Sequence, residues 1–186
     1  KDFPDGVKFY QIEELKTALE GADLVIGGVS SFGVDWFGEK VLPEVDEKTP
    51  VLTVTKGLLD DENGNLIPYP YVWRDMLAKK GLKRNLNAVG GPCTSYELVA
   101  HDQTEVYFCG EDPEALRFIK KTMATDYYHI SLSNDVMGVE SAVALKNGYA
   151  LGITLTVGVN KRNFGENSEL HYNSQAGAFG QGVREM

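Results

Sequence analysis

At 186 residues, with 42% apolar and 24% charged side chains, the chain has the composition of a globular protein of one domain or a domain and a half. A formal charge of −9 and a pI of about 4.8 argue against nucleic acid or an anionic membrane as partner, though not against a local cationic pocket for a small phosphorylated ligand. Two cysteines without CxxC spacing, Cys93 and Cys109, argue against a disulfide framework and a zinc site.

Ile12, Leu15 and Leu19 recur at helical spacing, and Gly21 follows as a stop. "DLVIGGV" is a short buried strand. "VDWFGEKVLPEV" predicts a helix that ends near Pro43. "PVLTVT" is a second strand with "KGL" at its carboxyl end, and "LDDENGNLIPYP" carries an Asn-Gly turn. "YVWRDMLAKKG" is a helix closed by Gly81, and "NLNAVGGP" a third strand entering a glycine turn. Thr94 with Glu97 three residues on predicts a capping box for a short helix. "TEVYFCG" is a fourth strand. Asp112 followed by Pro113 starts another helix, and "YYHISLS" is a fifth strand.

Alternation of strand and helix to Ser133 predicts βαβ units and a parallel sheet. Beyond Asn134 only two helical stretches are expected, about 135–157 and 167–186. The fold class is therefore a partial α/β Rossmann-type parallel sheet over 1–133, followed by a partial all-α domain over 134–186. No signal peptide and no apolar run of about 18 residues is seen, so the expected setting is cytoplasmic, with no membrane partner.

Lys146 sits in "SAVALKNGYALGI", among small and apolar residues. Val139, Ala142, Val143, Tyr149, Ala150 and Ile153 share its side of a helix, and the opposite side is no more polar. Such a helix is expected to be buried, which would lower the lysine pKa. Either the side chain snorkels or pairs with a carboxylate, or it lines a pocket as a proton donor or phosphate contact, with Asn147 supplying an amide.

"DVMGVESAVALKNGYALG" resembles the segment of NAD-dependent glycerol-3-phosphate dehydrogenases that reads Asp-x-x-Gly-x-Glu and then Ala-Leu-Lys-Asn. "TVTKGL", "VGGPCTSYELVA" and "NSQAGAFGQGVREM" are similar to three further stretches of that family, in the same order. The resemblance implies a Rossmann half that binds NAD, with NADP not excluded, and a helical half. It implies hydride transfer between the nicotinamide and C2 of glycerol 3-phosphate or dihydroxyacetone phosphate, in a homodimer. Lys146 is then the catalytic lysine and Lys56 the second active-site lysine, and these two with Asn147 bind substrate. Phe32 or Gly33, with Lys56 and Ser95, would lie at the cofactor. Before the resemblance, Lys56 is equally an ordinary loop lysine, and Gly90-Gly91 equally a tight turn or a close approach of backbone to a ligand.

The chain departs from the family in several places. The Gly-x-Gly-x-x-Gly fingerprint of the first βαβ unit and the substrate-phosphate arginine would flank these residues. Gln175 stands where the family has Lys and Gln181 where it often has Arg; Gly148 and Tyr149 replace an aliphatic pair. The link over 160–172 is long and polar. A related dehydrogenase acting on another small keto compound, or a nucleotide-binding relative without catalysis, is the alternative. "DDENGN" has its glycine early and no closing glutamate for a calcium loop, and His101, His129 and His171 are scattered, so no metal is expected.

Overall fold

The computed structural model describes residues 3–186. Five strands form one sheet in the order β1 (Val25–Gly27), β2 (Val51–Thr53), β5 (Leu86–Gly90), β6 (Thr104–Gly110), β7 (Tyr128–Ser133). β3 (Leu58–Asp60) and β4 (Leu66–Pro68) make a separate antiparallel hairpin. Asp61 closes its turn by accepting the backbone N–H groups of Asn63 and Asn65 at 2.8 Å each, and Gly64 takes φ +79°.

The sheet is parallel at β1–β2, β2–β5 and β6–β7, but β5 and β6 pair antiparallel, Asn87 opposite Gly110 and Gly90 opposite Tyr107. The sheet is thus mostly parallel, as its alternation of strand and helix predicts, with one antiparallel pairing. The connection holds only α4 (Ser95–Val99), five residues, or about 7 Å of helix. The chain reverses there instead of crossing over. The predicted capping box of α4 is also not formed. Thr94 Oγ1 bonds the Glu97 carboxylate, and no side chain caps the helix backbone.

Alternation along the strands builds two cores. Val51 faces Val34, Phe37, Leu42, Trp73 and Leu77, from the segment after β1 and from α3 (Tyr69–Ala78). Leu52, Val106, Phe108 and Ile130 face Leu116 and Ile119 of α5 (Pro113–Met123). Asp112 caps α5 as its sequence predicts, accepting from the N–H of Glu114 and Ala115 at 2.9 and 3.3 Å.

The helix expected over 34–45 is instead irregular. A short α2 (Val34–Trp36) widens into a π turn at Phe37–Val41 and tightens into a 3-10 turn at Leu42–Glu44. Two causes are visible. Pro43 has no N–H to give the preceding turn, and the helix is packed hard on Trp73: a Cβ on Gly38 would lie 2.8 Å from its Cδ1. π bulges absorb such local constraints.

α6 (Val136–Phe164) is one helix of 29 residues, so it takes in the first residues of the expected polar link. Gly165, at φ +55°, ends it, and a 3-10 turn leads to α7 (Asn173–Glu185). α7 lies back along α6: Tyr149 Oη donates to Glu185 at 3.0 Å, and Asn160 Nδ2 donates to the His171 carbonyl at 2.6 Å. The expectation of a buried helix fails here. Of its residues only Val136 and Glu140 are buried, while Leu151 and Leu155 are 63% and 61% exposed. Val136–Leu170 is long and apolar enough, at mean hydropathy 1.3, to cross a membrane by length and composition alone. Its first turns are nevertheless docked on the sheet.

Trp73 is wholly buried and donates its indole N–H to the Val34 carbonyl at 2.8 Å. Trp73→Ala should lower the free energy of unfolding by about 3–5 kcal/mol. Trp73→Phe should cost less, since it loses the hydrogen bond and part of the volume. Urea titration of both variants measures the order.

Candidate active site

The loops that leave the carboxyl ends of β1, β2 and β5 are tied to one another. Val54 N–H donates to the Gly27 carbonyl at 3.0 Å, Thr55 Oγ1 to the Val29 carbonyl at 2.6 Å, and Lys56 Nζ to the Gly91 carbonyl at 3.3 Å. The carboxyl edge of parallel strands is where open α/β sheets hold ligands.

Glycines set the spacing. Gly57 has φ +147°, and a Cβ there would stand 2.4 Å from Tyr69 Oη. A Cβ on Gly90 would stand 2.7 Å from both Val139 Cγ1 and Val143 Cγ2 of α6. Gly91, at φ +137°, lies against the backbone of Glu105 and Val106. The close approach these two glycines permit is thus of helix and strand to strand, and it brings α6 onto the edge of β5.

Asp135 sets the direction of α6. Its carboxylate accepts the Gly138 N–H at 2.7 Å, and Ser133 Oγ accepts the Asp135 N–H at 3.1 Å. Val136, Val139 and Val143 then face the sheet. Lys146 follows ten residues after Val136, about 15 Å along the axis.

Between α6 and the loops after β2 and β5 lies an open cleft of about 960 Å³, whose walls include Lys56, Gly91, Tyr107, Asp135, Lys146 and Asn147. Lys56, Lys146 and Asn147, singled out in the sequence, therefore meet at one cleft. Phe32, Gly33 and Ser95 are not among the residues lining it. Phe32 is fully exposed in a 3-10 turn after β1, Gly33 closes that turn against Val29, and Ser95 is an exposed first residue of α4. The carboxyl-edge loops carry them outside the cleft wall. Lys146 is exposed to the cleft, so the buried ammonium expected from its neighbours is corrected. Those neighbours face open space because α6 outruns the sheet. Among the described residues no cluster of histidine, cysteine and carboxylate side chains could hold a metal.

The buried charge is elsewhere. Glu140 is 1% exposed, and neither carboxylate oxygen has a hydrogen-bond partner. It stands one turn after Val136 on the same face, and Val136 packs with Ala88 and Cys109. Desolvation pushes its pKa from 4.5 up to about 7, against the opposing pull of the Lys56 ammonium. Cys109 is pushed up to about 12, by burial first and by Glu140 second. The sequence by itself does not mark Glu140, the glutamate of the Asp-x-x-Gly-x-Glu stretch, as a site residue. Its signal was the i, i+4 relation to Val136, but nothing in the pattern says that a glutamate there lies inward.

Comparison with known proteins places this geometry. The family described as NAD-dependent glycerol-3-phosphate dehydrogenase N-terminus matches residues 1–116. The chain is 31% identical over 158 residues to the NADP(+)-dependent glycerol-3-phosphate dehydrogenase of Archaeoglobus fulgidus, covering 85% of this chain and 46% of the relative. It is 26% identical to the glycerol-3-phosphate dehydrogenase [NAD(P)+] of Syntrophotalea carbinolica, covering all of this chain and 52% of the relative. The chain thus spans about half the length of the curated relatives it matches. Among solved structures, the glycerol-3-phosphate dehydrogenase of Coxiella burnetii superposes with a TM-score of 0.72 at 22% identity, covering 98% of this chain and 50% of that one. The Saccharomyces cerevisiae enzyme superposes with a TM-score of 0.70 at 18% identity, covering 92% and 47%. At such identities these two speak for the fold: a Rossmann-type α/β domain joined to a helical one.

The Glu140 pKa makes the stability pH-dependent. Between pH 4.5 and 7 the folded protein keeps a proton there that the unfolded chain has released, so stability falls as pH rises through this window. The shift corresponds to roughly 3 kcal/mol. Glu140→Gln removes the dependence, so the difference in unfolding free energy between variant and wild type should grow in the variant's favour from pH 4.5 to 7. Denaturant titrations at several pH values measure it, and a pH-independent difference would contradict the assignment.

Proposed function

This chain belongs to the NAD-dependent glycerol-3-phosphate dehydrogenase family, and from that premise we propose that its whole protein interconverts dihydroxyacetone phosphate and glycerol 3-phosphate. The observation that carries the reading is the convergence of Lys56, Lys146 and Asn147 on one cleft at the carboxyl edge of the sheet.

The family resemblance gives the nicotinamide end of NAD(P) to the residues at the carboxyl edge of the sheet. Phe32 offers a ring with its whole surface free, and the space a Cβ would take on Gly28 is open. By the family resemblance Phe32, Gly33 and Ser95 would hold that end from outside the cleft wall. When bound, the cofactor supplies or accepts the hydride at C2. The chain's own residues do the rest. As a ketone is reduced, negative charge grows on its oxygen, and the Lys146 ammonium stabilises that charge and donates a proton to it. Lys56, tethered to the Gly91 carbonyl, sets a second positive charge across the cleft. Such a local excess of cation draws in a phosphorylated substrate despite the net charge of −9. Asn147 supplies an amide to orient a substrate hydroxyl or carbonyl. The reverse direction requires the neutral amine of Lys146 as base.

Lys146→Met and Lys56→Met in the full-length protein should each lower kcat for NADH oxidation with dihydroxyacetone phosphate by about 10²–10⁴-fold. Their thermal midpoints should stay within a few degrees of wild type, because both side chains are exposed. Near-normal turnover by Lys146→Met would overturn the role given to it. A parallel panel of phosphorylated and unphosphorylated ketones identifies the substrate.

A further inference from the structure

Two of the positions at which the chain departs from the family meet in the structure. Tyr149 of α6 stands where the resemblance has an aliphatic residue, and Gln181 of α7 where it often has an arginine. Both bond one carboxylate. Tyr149 Oη donates to Glu185 Oε2 at 3.0 Å, and Gln181 Nε2 donates to Glu185 Oε1 at 2.5 Å. Each oxygen thus has its own donor. The Gln181 bond first, and the Tyr149 bond second, hold the Glu185 carboxyl below its ordinary range, while the carboxylate raises the Tyr149 phenol. The acceptor is charged and the phenol keeps its proton, which is the stronger kind of hydrogen bond.

The Tyr149 ring is also seated. Gly182 is buried in α7, and a Cβ there would stand 3.1 Å from Tyr149 Cδ1 and 3.5 Å from its Cβ and Cγ. The missing side chain is what lets α7 approach α6 so closely at this point. The Met186 N–H donates to the Gly182 carbonyl at 3.1 Å, so residue 186 hangs from the glycine that Tyr149 covers. Met186 lines the cleft together with Lys146 and Asn147. Tyr149 follows Lys146 by three residues, on the same side of α6. The carboxyl end of α7 is therefore a wall of the cleft, fastened one turn beyond Lys146. At the far end of the helix pair, Asn160 Nδ2 donates to the His171 carbonyl at 2.6 Å and to Ser174 Oγ at 3.2 Å. Without the Tyr149 bond, side-chain hydrogen bonds among the described residues would tie α7 to α6 at its start alone.

We propose that Tyr149 is a positioning residue: with Gln181 it locks Glu185, and so holds the carboxyl end of α7 as an apolar wall that bounds the cleft beside Lys146 to the length of a short ketone. Tyr149 and Glu185 touch neither substrate nor cofactor. They act through Met186, whose flexible thioether side chain offers an apolar contact to the carbon skeleton while the two lysines face its charge. The inference rests on the reading of the cleft as the substrate site. It adds to that reading a determinant of substrate length, built from residues outside the cleft.

Two measurements on the full-length protein test it. In the first, NADH oxidation is followed with dihydroxyacetone phosphate and with its homologue one carbon longer. Tyr149→Phe keeps the ring on Gly182 and removes the bond, and Glu185→Ala removes the acceptor. Each should raise KM for dihydroxyacetone phosphate about three- to tenfold with kcat held within about twofold, the pattern of lost substrate binding. Each should also narrow the preference for dihydroxyacetone phosphate over the longer ketone. Tyr149→Phe should add nothing further in a Glu185→Ala background, because the bond is already gone. A fall in kcat at unmoved KM, additive losses in the double variant, or unchanged kinetics overturns the proposal. The second measurement needs no turnover. Amide hydrogen exchange should quicken in the last turn of α7 in Tyr149→Phe and stay unchanged in α5. Unaltered exchange in α7 overturns the lock. A wild-type protein that reduced neither ketone, with faster exchange in Tyr149→Phe, would sink the proposed function and leave the lock standing.

Discussion

The contact on which the site depends is the seating of Val139 and Val143 on Gly90. A side chain at residue 90 would push α6 off the last residue of β5, and each functional group on α6 would move with the helix. Because an α-helix is stiff over three turns, one close approach near its start fixes where Lys146 and Asn147 stand. The same approach drives Glu140 inward, since it shares the helical face of Val136. Site and strain therefore come from one packing event. The contact that places the lysine on the cleft also buries an unpaired carboxyl beneath it.

The antiparallel turn between β5 and β6 serves the same geometry. Gly91, at φ +137°, lets the chain fold back against Val106, and its carbonyl accepts the Lys56 ammonium. The short α4 leaves that edge open. Lys146 and Asn147 on α6 and the loops after β1 and β5 are thereby held by a sheet packed around Trp73 on one face and around Phe108 on the other.

Charge is distributed in a way that composition hides. The chain carries −9 overall, yet its cleft sets Lys56 and Lys146 together. Two acids stand on α6: Asp135 lines the cleft as the helix cap, and Glu140 is buried. Glu140 is close enough to feel Lys56 and too buried to be solvated. A carboxylate in that position costs stability as pH rises.

Much of this was legible in the sequence. Strand and helix periodicity located the five strands of the main sheet, Asp112 and Pro113 announced α5, and the ordered match of short motifs identified the family and singled out Lys56 and Lys146, which the structure brings to one cleft. These are local properties, carried by spacing and by residue type. The sequence could not decide the direction of β6, the π turn at Phe37–Val41, the exposure of α6 or the burial of Glu140. Each of those depends on which distant surface a segment meets. Helical arithmetic says which residues share a face, as Val136 and Glu140 do, but only the packed partner determines whether that face looks into a core, into a cleft or into water.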